Sequence, residues 1–189
     1  MIDENVLNVD EFLYLPKEEI LRVKDYDQFR VDVCNTLIEY QNYVRKKHFA
    51  QPLILDQNLS LLAQDWAEYA HSHLKQLIHR YNLRCGENIG GAKISKGPKH
   101  IAAKIVKCWY QEKQQYDFES PGWKPKTGHF TQLVWKDSKY IGIGIAERKD
   151  TVMIVCNYYP KGNIVDDEEY ANNVENCHEE LTTLKFDDI

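Results

Sequence analysis

Glu112 stands where packing alone would not put a carboxylate: it interrupts a helical stripe otherwise made of Ile101, Ile105, Cys108, Trp109 and Tyr116. His79 and Glu87 flank a loop that carries Cys85, and His129 follows a glycine and leads into Phe130-Thr131-Gln132-Leu133-Val134-Trp135. Two imidazoles and two carboxylates can hold a divalent cation, Zn²⁺ or Mg²⁺, because neutral histidine supplies nitrogen while glutamate supplies oxygen and compensating charge. The same set supports a second chemistry. A cation on His79 and His129 would lower the pKa of a bound water, with Glu87 or Glu112 as general base, giving a metal-dependent hydrolase. A Cys85–His129 thiol and base pair is a further alternative. Ordinary roles weigh against each: a glutamate on an apolar face is usually hydrogen-bonded there, and a lone histidine usually fills space. His71 and His73, two apart on a helix, diverge, while His48 and His100 fall at helix ends and read as caps. The G-x-S-x-G, Walker, G-x-G-x-x-G and H-E-x-x-H patterns do not occur.

Three helices and a hairpin must position these groups. Apolar or small positions at Cys34, Leu37, Ile38, Gln41 and Val44 predict a helix from Tyr26 to about His48. Asp56 reads as the N-cap of a second helix, whose stripe runs through Leu59, Leu62, Ala63, Trp66, Ala70 and Leu74 to Leu77. A loop holds His79 and Cys85-Gly86-Glu87-Asn88-Ile89-Gly90-Gly91, and a third helix starts near Pro98. Pro121, Gly122 and Pro125 make the stretch after Glu119 a long loop, with Phe118 and Trp123 as bulky anchors. Ile141, Ile143 and Ile145 alternate with glycine, Thr151 to Tyr159 is β-branched and aromatic, and Lys149-Asp150 joins them as a β-hairpin. The expected organisation is an N-terminal extension over 1–25, one domain over 26–165, and an acidic tail over 166–189, partly pinned by Tyr170 and Val174.

With 189 residues, 43% of them hydrophobic and 28% charged, the chain has enough apolar material for one domain. A net charge of -5 argues against nucleic acid as a partner. A local patch at Lys93, Lys96, Lys99 and Lys104 could still attract anionic lipid. No apolar run is long enough to span a bilayer, the first residues lack the basic and apolar regions of a secretory signal, and Ile2 excludes N-myristoylation. The expected location is therefore cytoplasmic or peripheral to a membrane, with the extracellular region, reached unconventionally or as a mature fragment, as the alternative. Five scattered cysteines without C-x-x-C exclude a dense disulfide scaffold and leave at least one thiol unpaired. The sequon Asn58-Leu59-Ser60 falls at a helix start and reads as chance.

Four motifs occur in a familiar order. Asn42-Tyr43-Val44-Arg45 resembles an N-x-x-R motif, Gly86-Glu87-Asn88-Ile89 a G-E-N motif, Gly128-His129-Phe130-Thr131-Gln132-Leu133-Val134-Trp135 a first signature, and Cys156-Asn157-Tyr158-Tyr159-Pro160-Lys161-Gly162-Asn163 a second. Together they resemble the CAP superfamily of cysteine-rich secretory proteins, antigen 5 and pathogenesis-related proteins. The resemblance implies an α+β fold, an α-β-α sandwich with a central antiparallel sheet between helices. It also implies a cleft of two histidines and two glutamates, carried here onto His79, Glu87, Glu112 and His129; the usual serine after the first histidine is Arg80.

Departures from the secreted pattern place the chain within the superfamily. Thr127 stands where secreted members carry a cysteine before G-H-F, and the strand at Ile141-Gly142-Ile143 has none, so most cysteines are expected to be unpaired. The chain is most similar to the Golgi-associated pathogenesis-related branch. Tyr116, Phe118 and Trp123 fit the spacing of the sterol-associated aromatic loop known in the superfamily, although such aromatics are more often core anchors. The functional expectation is a lipid- or sterol-binding, membrane-associating module with a metal cleft. A hydrolase, or a protein-interaction module that includes a homodimer, is the alternative.

Overall fold

A computed structural model describes residues 28–81 and 83–177. The expected extension over 1–25 and the tail beyond Cys177 lie outside the described residues. Helix α1 spans Gln28–Lys47, strand β1 is Ile54–Leu55, and α2 spans Gln57–Tyr69 before widening into a π-helical turn, Ala70–Leu74. Strand β2 is Gly86–Lys93, α3 spans Pro98–Gln111, and α4 is Gly128–Val134. Strands β3 (Tyr140–Arg148) and β4 (Thr151–Tyr159) form the expected hairpin, and α5 is Asp167–Asn173.

The sheet order is β1-β3-β4-β2, antiparallel except for the short parallel pair of β1 with β3. Helix α2 covers one face, against β3 and β4; α1, α3 and α4 cover the other, which makes the α-β-α sandwich. Because both faces are covered, the strands are apolar throughout rather than alternating. Ile141, Ile143 and Ile145 enter the larger core with Leu37, Val106 and Phe130, while Ala146, Met153 and Val155 meet Ala63 and Ala67 of α2.

Glycine at 142 and 144 is a packing requirement. A Cβ on Gly142 would lie 2.0 Å from the Leu59 carbonyl carbon, and one on Gly144 would lie 2.2 Å from that of Ala63, so the α2 backbone rests directly on β3. At that distance α2 also completes the strand. Ser60 Oγ accepts from the Ile143 amide (3.2 Å), and the Gln64 side chain accepts from the Ile145 amide (2.7 Å) and donates to its carbonyl (2.9 Å). On the opposite edge, the Trp109 indole donates to the Ile89 carbonyl of β2 (3.1 Å).

Several expectations are corrected. The Gly86–Lys93 segment, expected as loop, is a full strand. Cys108, expected on the buried face of α3, is exposed; Ala102, Val106 and Tyr110 share the buried face instead. In the expected tail, Tyr170 of α5 is buried edge-on against Trp135, ring centres 5.0 Å apart, and Val174 is buried as well, the pinning expected there. None of the five cysteines forms a disulfide, as expected for most of them.

His48, expected as a helix cap, is buried and ties down the C-terminal segment. Its Nδ1 donates to the Glu175 carbonyl (2.6 Å) and its Nε2 accepts from the Tyr110 hydroxyl (3.1 Å). Burial lowers its pKa from 6.5 to about 4. Between those values the unfolded chain takes up the proton and the folded one does not, so the stability held at His48 is complete above pH 6.5 and lost as pH falls toward 4. Urea midpoints should show wild type losing roughly 2–3 kcal/mol more than His48→Gln between pH 7 and pH 4.5. Parallel pH slopes for the two proteins would assign the acid sensitivity elsewhere.

Candidate metal-binding cleft

The site forms where the start of β2, the end of α3 and the start of α4 meet. Asn88 of β2 donates to the His129 carbonyl (3.0 Å), which fixes α4 against the strand. Glu112 follows α3, in the 3₁₀ turn Glu112–Gln115, and its Oε2 accepts from the amides of His129 (2.8 Å) and Phe130 (3.2 Å). The carboxylate so placed at the start of α4 satisfies amides that have no partner within the helix. Its Oε1 accepts from His129 Nδ1 at 2.7 Å. The second pair repeats the arrangement: Glu87 Oε1 accepts from His79 Nδ1 (2.9 Å) and from the Arg80 amide (3.0 Å).

His79, Glu87, Glu112 and His129 thus come together, as two His–Glu pairs. The carboxylates stand behind the imidazoles rather than beside them as ligands. In a neutral imidazole so placed, Nδ1 carries the proton that the carboxylate accepts and Nε2 keeps its lone pair for a cation. The two rings lie 5.9 Å apart between centres, tilted by 32°, and Trp109 lies parallel to His129 within 10°, with ring centres 6.2 Å apart. A carboxylate behind each imidazole is the donor arrangement zinc takes, so the residues fit a cation held by two histidine nitrogens. Among the described residues, no group of three or more histidine, cysteine, aspartate or glutamate side chains is placed to share one ion. Remaining coordination positions would fall to water or to a ligand oxygen.

The Cys85–His129 alternative fails on chemistry. Cys85 is buried, and burial first, then the charge of Glu87, pushes its thiol up to about 12, so it is no thiolate at neutral pH. The aromatic triad separates as well. Tyr116 is 6% exposed and Phe118 half-buried; both pack on Phe130, with ring centres 5.7 and 6.1 Å from it, so neither is presented to lipid. Trp123 alone stays outside, 55% exposed.

The signature motifs hold this geometry. Asn163 Oδ1 accepts from the Thr131 hydroxyl (2.6 Å), and its Nδ2 donates to the Gly128 carbonyl (2.9 Å), which joins the second signature to the first. A Cβ on Gly86 would fall 1.9 Å from Gln132 Oε1. A family model for the cysteine-rich secretory proteins, CAP, matches residues 38–158. The chain belongs to the CAP family. Human Golgi-associated plant pathogenesis-related protein 1 is 36% identical to this CAP protein over 143 residues, 74% of the chain and 90% of that relative. Human GLIPR1-like protein 1 is 34% identical over 139 residues, but the chain spans only 54% of its length. The crystal structure of NaASP2 with Zn²⁺ superposes with a TM-score of 0.61 at 19% identity, covering 77% of this chain and 88% of that one, which shows a shared fold.

The CAP motifs also include a residue that a search for reactive groups passes over. Arg45, in the N-x-x-R motif, is buried and binds carbonyls only, while Asn42 donates to the Leu53 carbonyl (3.1 Å) and accepts from its amide (2.7 Å) just before β1. The motif is structural.

Proposed function

We propose that this CAP protein is a membrane-associating binding module that takes a lipid or sterol and holds a divalent cation between His79 and His129. The pairing in the cleft carries the reading: each imidazole is fixed by its own carboxylate, and the two rings are 5.9 Å apart. A cation bound there would supply a Lewis-acid centre for a ligand oxygen. Glu112 accepts from imidazole and backbone on both its oxygens, and Glu87 accepts from both on Oε1, so each carboxylate is committed to holding its imidazole, which favours binding over hydrolysis. The NaASP2 structure with Zn²⁺ supports zinc as the ion to try first.

The lipid part of the proposal has separate support. A cavity of about 310 Å³, lined by Val31, Cys34, Leu55 and Ile143 together with polar Asn35, Gln57 and Ser60, lies between α1, β1, the start of α2 and β3 and is of a size that takes small, largely apolar ligands. Among the described residues no helix is long and apolar enough to cross a membrane, so association would be peripheral. The Golgi association in the human relative's name supports an intracellular membrane as the place to look.

Titration calorimetry with Zn²⁺ tests the cleft. His79→Ala and His129→Ala should each weaken binding at least tenfold, and Glu112→Gln, which keeps both imidazoles, by about tenfold. Unchanged affinity in both histidine variants would remove the metal from this site. Retention of labelled cholesterol that survives Leu55→Glu would remove the cavity.

A further inference from the structure

The end of the sheet away from the Glu112–His129 pair carries charge of nearly one sign. No acidic residue occurs between Glu87 and Glu112, whereas Lys93, Lys96, Lys99, Lys104 and Lys107 all lie in that interval and are exposed. Lys93 closes β2 opposite Thr151, and the Ile94 amide donates to the Asp150 carbonyl (2.9 Å). That contact sets exposed Arg148 and Lys149, at the hairpin tip, beside the Ile94–Lys96 turn and the start of α3. From the other side His71 reaches the Thr151 hydroxyl (3.4 Å), which brings the π-helical turn and Lys75 to the same end.

Little opposes these cations. Glu147 is paired with Arg30 (2.9 Å), Glu68 accepts from Gln64 (2.7 Å), and Asp150 sits singly within the turn. Helix α3 has no acidic residue in its first turn. Among the described residues, none of Lys93, Lys96, Lys99, Lys104 and Lys107 makes an ion pair. Apolar groups border the patch: Leu77 is 55% exposed and lies 3.6 Å from a Cβ position on Gly91, two residues before Lys93, and Ile78 beside it is 42% exposed.

We propose that this end of the sandwich is a docking face for a bilayer of anionic lipid. The proposal rests on the membrane-associating reading above and adds the face and the lipid charge. Cations spread over a strand end, a hairpin tip and a helix start suit a surface of distributed negative charge, and Leu77 with Ile78 can enter the headgroup layer beside them. A nucleic acid would use the charges but give the two apolar side chains nothing to enter.

Vesicle co-sedimentation of the full chain tests this. Vesicles are phosphatidylcholine alone, phosphatidylcholine with phosphatidylserine, and phosphatidylcholine with cholesterol. The wild-type chain should sediment with the phosphatidylserine vesicles at about 0.1 M salt and be released at about 0.5 M. Combining Lys93→Glu, Lys96→Glu and Lys99→Glu should lower that partition at least tenfold, while Lys126→Glu with Lys161→Glu, at the cleft end, should leave it within about twofold; circular dichroism checks that both variants are folded. Equal loss in the two variants, or none in either, overturns the proposal. Sedimentation with cholesterol vesicles alone overturns the anionic face and leaves the lipid-binding reading standing; sedimentation with no vesicle overturns both. Retention of the full chain by an acidic polypeptide or by DNA, without vesicle binding, assigns the patch to that partner instead.

Discussion

Arg45→Ala should leave no cooperative unfolding transition at 25 °C, or one whose urea midpoint has collapsed. The Arg45 guanidinium is completely buried, with four backbone carbonyls around it: Gln51 (2.8 Å), Leu133 (3.1 Å), Trp135 (2.9 Å) and Ser138 (2.7 Å). Two of these belong to the end of α4, where helix carbonyls lack partners and a cation is favoured. Burial lowers the guanidinium to about 10, so it remains charged at neutral pH. Truncation leaves a void and strands four acceptors that water cannot easily reach. Losing one partner of a buried charged network costs about 3–5 kcal/mol, a large share of a domain's usual stability. Arg45→Lys should recover only part of it, since an ammonium cannot reproduce a planar fork. A wild-type midpoint for Arg45→Ala would show that the loops after α1 and α4 hold together without it.

Gly144→Ala is the second severe change, although it adds one methyl group. The new carbon would meet the α2 backbone at 2.2 Å (Ala63 carbon), 2.3 Å (Ala63 oxygen) and 2.4 Å (Gln64 nitrogen), and backbone cannot rotate aside as a side chain can. Helix α2 would have to lift from β3, stretching the Gln64 contacts to Ile145. About 3 kcal/mol or more should be lost in thermal or urea unfolding. Gly91→Ala is the control, because its nearest neighbour would be 3.5 Å away, and it should change stability by less than about 1 kcal/mol. Similar losses in the two variants would mean that glycine's backbone freedom, rather than close helix packing, sets the cost.

Amphipathic spacing is sufficient for α1, α2 and α3 and for the hairpin, since each buries a stripe or alternates in a long segment. It fails for β2, where Gly86, Gly90 and Gly91 look like turn residues. Two of them are small because neighbours press on the strand: a Cβ on Gly90 would lie 2.8 Å from Ile105 Cγ2, and one on Gly86 meets Gln132. Helix α4 escapes the same test because, at seven residues, five of them buried, it shows no polar face. The four cleft residues are legible as misfits in apolar or loop surroundings. Which carboxylate serves which imidazole is not, because docking of α4 on α3 closes one pair and the loop before β2, folded back on that strand, closes the other. Tyr116 and Phe118 show the opposite failure: a loop composition rich in proline and glycine conceals an aromatic cluster around Phe130 that forms only in three dimensions.

The way α2 and α3 meet the margins of the sheet bears on how copies of this protein can associate. Along β3 beyond the two residues of β1, Ser60 and Gln64 occupy the hydrogen-bonding groups that a fifth strand would use, and Trp109 covers part of β2 on the other side. An incoming strand would first have to displace side chains rooted in packed helices, which shields the fold from the edge-to-edge growth that turns sheet proteins into fibrils. A homodimer that joined sheets along the exposed part of β3 would have to break these contacts, so helix and loop surfaces are the less costly place for two subunits to meet.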